Sequence, residues 1–147
     1  MEATMTGLDL ARQEKLGVAR ATPLEQPVDD SYKGEGMEVA HYLACARQAE
    51  REGYPEVALA LEKIAWDEAW HAARFAELNG RIDNSTAENL RRLVKEEQAS
   101  CKSKAEWAGK ASQNNLDAIH DVYDEAARDE ARHAQSLDGL IRRYFSQ

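Results

Sequence analysis

Cysteine is scarce in this chain. Cys45 and Cys101 are the two in 147 residues, and they form no Cys-x-x-Cys pair. That excludes a disulfide framework and a four-cysteine iron or zinc site. Proline is nearly as rare: with only Pro23, Pro27 and Pro55 present, nothing after Pro55 carries the strongest helix breaker. Basic charge is outweighed, 27 Asp and Glu against 19 Lys and Arg, for a net charge of −8. A surface for nucleic acid or an anionic membrane needs a basic face, so this balance argues against both. No apolar run approaches a bilayer span, and the N-terminus lacks the apolar core of a secretion signal. A cytoplasmic protein is therefore expected.

What remains is helix-forming. At this length the chain is expected to be one domain able to bury a core, rich in Ala, Glu, Leu and Arg. Residues 1–31 are mixed: Leu8, Leu10, Ala11 and Leu16 suit a short amphipathic helix, but Gly17, Pro23 and Pro27 interrupt it. They read as an extension, packed on the domain or partly disordered, with the bundle itself spanning 32–147. A first helix is predicted over about 32–52, ended by Gly53 ahead of Pro55. Pro55 suits the first turn of a second helix, running to about residue 79 and closed by Gly80. Ser85-Thr86-Ala87-Glu88 reads as a capping box opening a third helix over about 86–112. Asn114-Asn115 is a break, with Asn115 capping a fourth helix that ends near Tyr144. Four such helices with short loops predict an all-α four-helix bundle.

The stretch Ala-x-Asp-Glu-Ala-x-His-Ala occurs twice, from Ala65 and from Ala127, 62 residues apart. It places Glu68 with His71, and Glu130 with His133, three positions apart on one helix face, where a carboxylate and an imidazole can grip one metal ion. Both pairs lie on apolar seams in alternating steps of three and four. In helix 2 the seam is Val57, Leu61, Ile64, Glu68, His71, Phe75, Leu78. In helix 4 it is Ile119, Tyr123, Ala126, Glu130, His133, Leu137, Leu140, Tyr144. A carboxylate in such a stripe needs a counter-charge.

The offset of 62 also pairs Glu35 with Glu97, Ala46 with Ala108, Ala49 with Ala111 and Leu78 with Leu140. Helices 1 and 3 thus supply one glutamate each, and helices 2 and 4 one Glu-x-x-His each, the ligand set of di-iron and di-manganese carboxylate bundles. Four carboxylates and two neutral imidazoles balance two divalent ions. Spacing alone is weak evidence, since Glu38-x-x-His41 has it too. His41, however, lies off the seam and has Ser103 as its repeat partner, so it reads as a surface histidine.

In these motifs the sequence resembles the ferritin-like domain of rubrerythrins. Gly34-Glu35, Tyr42 and Glu52-Gly53-Tyr54 match that family's first helix, Glu68 and His71 its first Glu-x-x-His, and Glu97, Glu130 and His133 its second-half ligands. The likeness covers about 32–144 and is looser in the second half, where Asn114-Asn115-Leu116 replaces Glu-Gly-aromatic. Two departures stand out. The four-cysteine rubredoxin domain that usually follows is not in this sequence, so a separate electron donor such as rubredoxin is expected. The family's extra glutamate, three residues after the helix 3 ligand, is Ser100 here, whereas the mirror position on helix 1 is Glu38.

The resemblance implies reduction of hydrogen peroxide at two irons. Glu68 and Glu130 would bridge, Glu35 and Glu97 would be terminal, and each histidine would hold one iron. Glu38 is either a seventh ligand, one that joins or leaves with the redox state, or an outer or solvent-facing glutamate. Tyr42, one turn on, either bonds a ligand carboxylate or a bound oxygen species, or is a core tyrosine. Manganese suits the same ligands. A homodimer is expected, with Trp66, Trp70 and Trp107 as core or interface packing rather than electron relays, and Cys101 either facing the same cavity as Glu97 or a buried, inert cysteine. Two other readings share parts of this pattern: a ferroxidase or iron-handling ferritin-like protein, and a non-catalytic helical interaction protein.

Overall fold

The computed structural model describes residues 15–145. Its helices, in chain order, are α1 (Glu25–Glu52), α2 (Pro55–Leu78), α3 (Thr86–Gln113) and α4 (Asp117–Phe145), and no strand occurs among the described residues. The chain divides into two compact units, Met1–Ile82 and Asp83–Gln147. In each, consecutive helices pair as a hairpin, α1 with α2 and α3 with α4. This is the all-α architecture of repeated helix pairs that the sequence repeat predicts.

α1 starts at Glu25, seven residues before the expected position. Pro27 is only its third residue, where the backbone N–H has no partner inside the helix, so the ring removes nothing. The residues ahead of it dock on the far end of the hairpin. Gly17 N–H donates to the Glu77 carbonyl at 2.8 Å, Ala19 N–H to that of Leu78 at 3.0 Å, and Arg20 Nε to that of Asn79 at 2.9 Å. Leu16 belongs to this docked turn, whereas Leu8, Leu10 and Ala11 of the expected amphipathic helix lie outside the described residues. Asp29 ties the same end together. It accepts from Asn79 Nδ2 at 3.3 Å and pairs with Lys33 at 2.6 Å and with Arg81, whose guanidinium lies over the Tyr32 ring. Lys33 first, then Arg81, hold its carboxyl below the ordinary carboxylate range.

Two caps differ from expectation. Ser85 Oγ does accept from Glu88 N–H, at 3.3 Å, but the Ser85 N–H is taken by the nearer Asp83 carboxylate at 2.7 Å and Glu88 pairs with Arg91 instead. The box is therefore only half formed. Asn115 does not cap α4. It takes a left-handed φ of 57° to make the turn, and the Ile119 and His120 amides of the first α4 turn donate to the Leu116 carbonyl.

Alanines make the contact inside each hairpin. Ala46 and Ala49 of α1 and Ala58, Ala65 and Ala72 of α2 are buried, as are Ala108 and Ala111 of α3 and Ala127 and Ala134 of α4. Small side chains a heptad apart let two helices approach closely along a narrow stripe. The predicted seams do not fill this contact. Val57, Ile64, Ile119 and Leu140 stay 38–50% exposed. Glu68 lies three positions beyond Ala65, about 60° round the helix, so the seam forms a face beside the alanine stripe. That offset is what leaves the ligand residues presented on an open hairpin face.

Gly80 follows α2 with φ +63°, and a Cβ there would meet the Arg20 guanidinium at 2.7 Å. Gly109 lies inside α3 with open space where a Cβ would go. Gly80→Ala should destabilise by about 1–2 kcal/mol, and Gly109→Ala should stabilise by up to about 1 kcal/mol. Thermal melts followed by circular dichroism should show Tm shifts of a few degrees in opposite directions.

Candidate metal centre

Glu35 on α1 and Glu68 and His71 on α2 bring one donor atom each to within 4.8 Å of the others. Helix periodicity stacks Glu68 under His71, whose Nδ1 lies 2.9 Å from Glu68 Oε2. Across the hairpin, Glu35 Oε2 is 3.6 Å from the same nitrogen. Both carboxylates are less than a quarter exposed, while the imidazole is 56% exposed and faces open space. Two carboxylates this close cannot both ionise freely. Glu35 holds its proton to higher pH because it donates to Glu68, with burial next in effect; Glu68 is lowered by that bond and by His71. The imidazole is in turn pushed up, first by Glu68 and then by the charge of Glu35.

The second hairpin repeats the arrangement with Glu97 on α3 and Glu130 and His133 on α4, again within 4.8 Å. His133 Nδ1 lies 3.3 Å from Glu97 Oε2. Glu97 is raised by its bond to Glu130, and Glu130 is pulled down to about 2, first by Glu97 and next by Lys104. Lys104 Nζ donates to Glu130 Oε1 and to Ser100 Oγ. This cation has no counterpart in the first hairpin, where the position 62 residues earlier is Tyr42. Sequence reasoning missed Lys104. The repeat offset held the signal, because Tyr42 and Glu38 map onto Lys104 and Ser100.

The six residues expected as metal ligands therefore gather as two triads. Glu38 is exposed and stands outside the first triad, near enough that its charge raises Glu35. Tyr42 is half-buried. His41 is exposed, as expected of a surface histidine. His120 is half-buried and pairs with Asp121 at 3.0 Å. Cys101, expected to be buried, is half-buried, and Cys45 is exposed.

The donor chemistry fits divalent metal. Each triad concentrates two carboxylates and an imidazole, and in both one carboxyl is raised first by its hydrogen bond to the other. Oxygen and imidazole nitrogen donors suit iron and manganese. In the second triad Lys104 supplies part of the cation's role, so an incoming ion must overcome its charge. Lys104→Met should raise Glu130 toward the ordinary carboxylate range and tighten divalent-ion binding at that triad by roughly tenfold or more. The first triad should be unaffected. A two-site Co(II) titration, comparing Lys104→Met with Lys104→Arg, measures this directly.

Comparison with known proteins agrees with the geometry. The Rubrerythrin family model matches residues 28–141, which include both triads. An uncharacterized protein of Methanocaldococcus jannaschii is 49% identical over 138 residues, covering 94% of this chain and 98% of that protein. Reverse rubrerythrin-1 of Clostridium acetobutylicum is 45% identical over 148 residues, 99% of this chain and 82% of that protein. With its repeated helix pairs and its paired Glu/Glu/His triads, the chain belongs to the rubrerythrin family and has that family's ferritin-like fold.

Proposed function

We propose that this protein is a non-haem di-iron oxidoreductase that reduces hydrogen peroxide to water in the cytoplasm, with electrons from a separate donor protein such as rubredoxin. The observation that carries the reading is the register-matched pair of triads, each a close carboxylate pair with one imidazole. When bound, two ferrous ions supply the two electrons that, with two protons, convert peroxide to two waters. The remaining work falls to the chain. His71 and His133, each 56% exposed, present a ring to the open side of their triads. Glu35 and Glu97 keep their protons to higher pH than ordinary carboxyls through the hydrogen bonds to Glu68 and Glu130, a role that a bound cation would take over. Glu38 extends the acidic surface one turn along α1 from Glu35, and Tyr42 follows one turn later, where a carboxylate and a phenol can orient a bound oxygen species. No helix among the described residues is long and apolar enough to cross a membrane.

The test is stopped-flow oxidation of the anaerobically iron-loaded protein, peroxide against dioxygen. Peroxide should oxidise the loaded protein much faster than dioxygen does. Faster reaction with dioxygen, with accumulation of a mineral core, would point to ferroxidase chemistry. Glu68→Ala and Glu130→Ala should each lower the iron content below two per chain and abolish the fast peroxide phase. Wild-type content in either variant would remove the ligand assignment, and less than about one transition metal per wild-type chain would remove the di-metal reading altogether.

A further inference from the structure

The internal repeat lets one helix position be read in both hairpins. On the side of α2 turned away from its triad stand Leu59, Trp66 and Trp70, which are 66%, 69% and 67% exposed. Trp66 lies about 160° round the helix from Glu68, so the ligand face does not account for it. The corresponding residues of α4 are Asp121, Arg128 and Arg132. There the two arginines form ion pairs along their own helix, Arg128 with Asp124 and Arg132 with Asp129. The hairpins differ in one other respect. Ahead of α3 runs only the connection 79–85, whereas ahead of α1 stand residues 1–24. The hairpin with the longer upstream segment is the one with the bare apolar face.

Beside the Trp66 indole runs a groove of about 230 Å³ lined by Val39, Leu43, Ala65, Trp66 and Ala69, with no charged residue among them. The two indoles offer roughly 300 Å² of apolar surface, the scale at which an exposed patch marks an interaction site. That is well short of the roughly 800 Å² per partner of a stable complex, and one short segment covers it. Such a segment lies within reach. Gly17 and Ala19 donate to the Glu77 and Leu78 carbonyls, so the chain before them sets out from the C-terminal end of α2. Trp70 and Trp66 stand about 10 and 16 Å back along the helix axis from Glu77, and fourteen residues span about 21 Å even when helical. Residues 1–14 lie outside the described residues, but their sequence fits the face. Met1, Met5 and Leu8 recur at helical spacing, and methionine packs adaptably against aromatic rings. Past the indoles α2 carries Arg74 and Glu77, neither with an ion pair among the described residues. One offset of 65 residues sets Met1 against Trp66, Met5 against Trp70, Asp9 against Arg74 and Arg12 against Glu77. Both apolar pairs and both opposite-charge pairs are therefore made in a single register.

We propose that residues 1–14 lie along this outer face of the first hairpin, Met1 at the Trp66 groove, Met5 over Trp70, Asp9 paired with Arg74 and Arg12 with Glu77. The segment then bridges both helices of the hairpin, since α1 and α2 each line the groove. Hydrogen exchange of the full-length protein, read by mass spectrometry on its N-terminal peptide, is the test. Amides of residues 5–12 should exchange at least about tenfold more slowly than in the free peptide, at every protein concentration. The Trp66→Arg, Trp70→Arg double variant, which gives α2 the residues that α4 carries, should lose this protection at wild-type helicity. On the segment's side, Met5→Asp should raise acrylamide quenching of the α2 indoles at least about twofold, read in a Trp107→Phe background. Asp9→Lys should lower the protection, and adding Arg74→Asp should restore it.

Exchange at the free-peptide rate in the wild type would overturn the proposal. So would protection that survives both arginines in a variant of wild-type helicity. Protection that fades on dilution would make a second copy the occupant, and indoles shielded equally with and without Met5→Asp would make it some other molecule. If the double tryptophan variant loses helicity, Met5→Asp and the Asp9/Arg74 exchange decide, because neither alters the alanine stripe. Unchanged protection in both rejects the docking.

Discussion

Two carboxylates held within a few ångströms of each other, and of one imidazole, are the constraint on which the rest of this structure turns. Such a pair is costly to ionise together, and the chain builds it twice. In the metal-free protein the pair splits: Glu35 and Glu97 keep their protons to higher pH, while Glu68 and Glu130 are lowered. A fold that merely tolerated acidic residues would spread them over solvated faces, as Asp124, Asp129 and Asp138 are spread along α4 with arginine partners. Concentrating them in register, opposite a histidine, gives each hairpin a donor set that suits a divalent cation.

Helix geometry delivers that concentration with little local chemistry. The i to i+3 step fixes Glu68 against His71 and Glu130 against His133, and the alanine stripe brings the neighbouring helix near enough for Glu35 and Glu97 to reach. A bulkier stripe would hold the helices farther apart and open the triads. The buried alanines, eight of which form four pairs at the repeat offset from Ala46/Ala108 to Ala72/Ala134, are thus structural determinants of the site.

The helices, their order and the six triad residues were legible in the sequence because each depends on a spacing, and spacing survives folding. What was not legible depends on competition between neighbours. The start of α1 was missed because Pro27 reads as a breaker unless it is known to fall in the first turn. The capping box at Ser85 lost one arm because Asp83 lies closer to the same amide than Glu88 does. The seams picked out the face on which the triads gather, but not the contact inside the hairpin, because alanine contributes little to an apolar pattern while permitting the closest packing. Lys104 was invisible to a search for ligands, being a cation, yet it bonds directly to Glu130.

That last point bears on how a duplicated site becomes asymmetric. The repeat keeps all six donors, but at the positions three and seven residues after the α1 and α3 glutamates it replaces Glu38 and Tyr42 with Ser100 and Lys104. One half therefore carries an additional acid and a phenol beside its triad, and the other carries an ammonium bonded into it. A positive charge already seated at Glu130 offsets part of the attraction that an arriving ion would feel, whereas Glu38 adds to that attraction at Glu35. Equal donor sets thus sit in unequal fields, and the inequality arises from two substitutions one turn apart rather than from any change in the six donors.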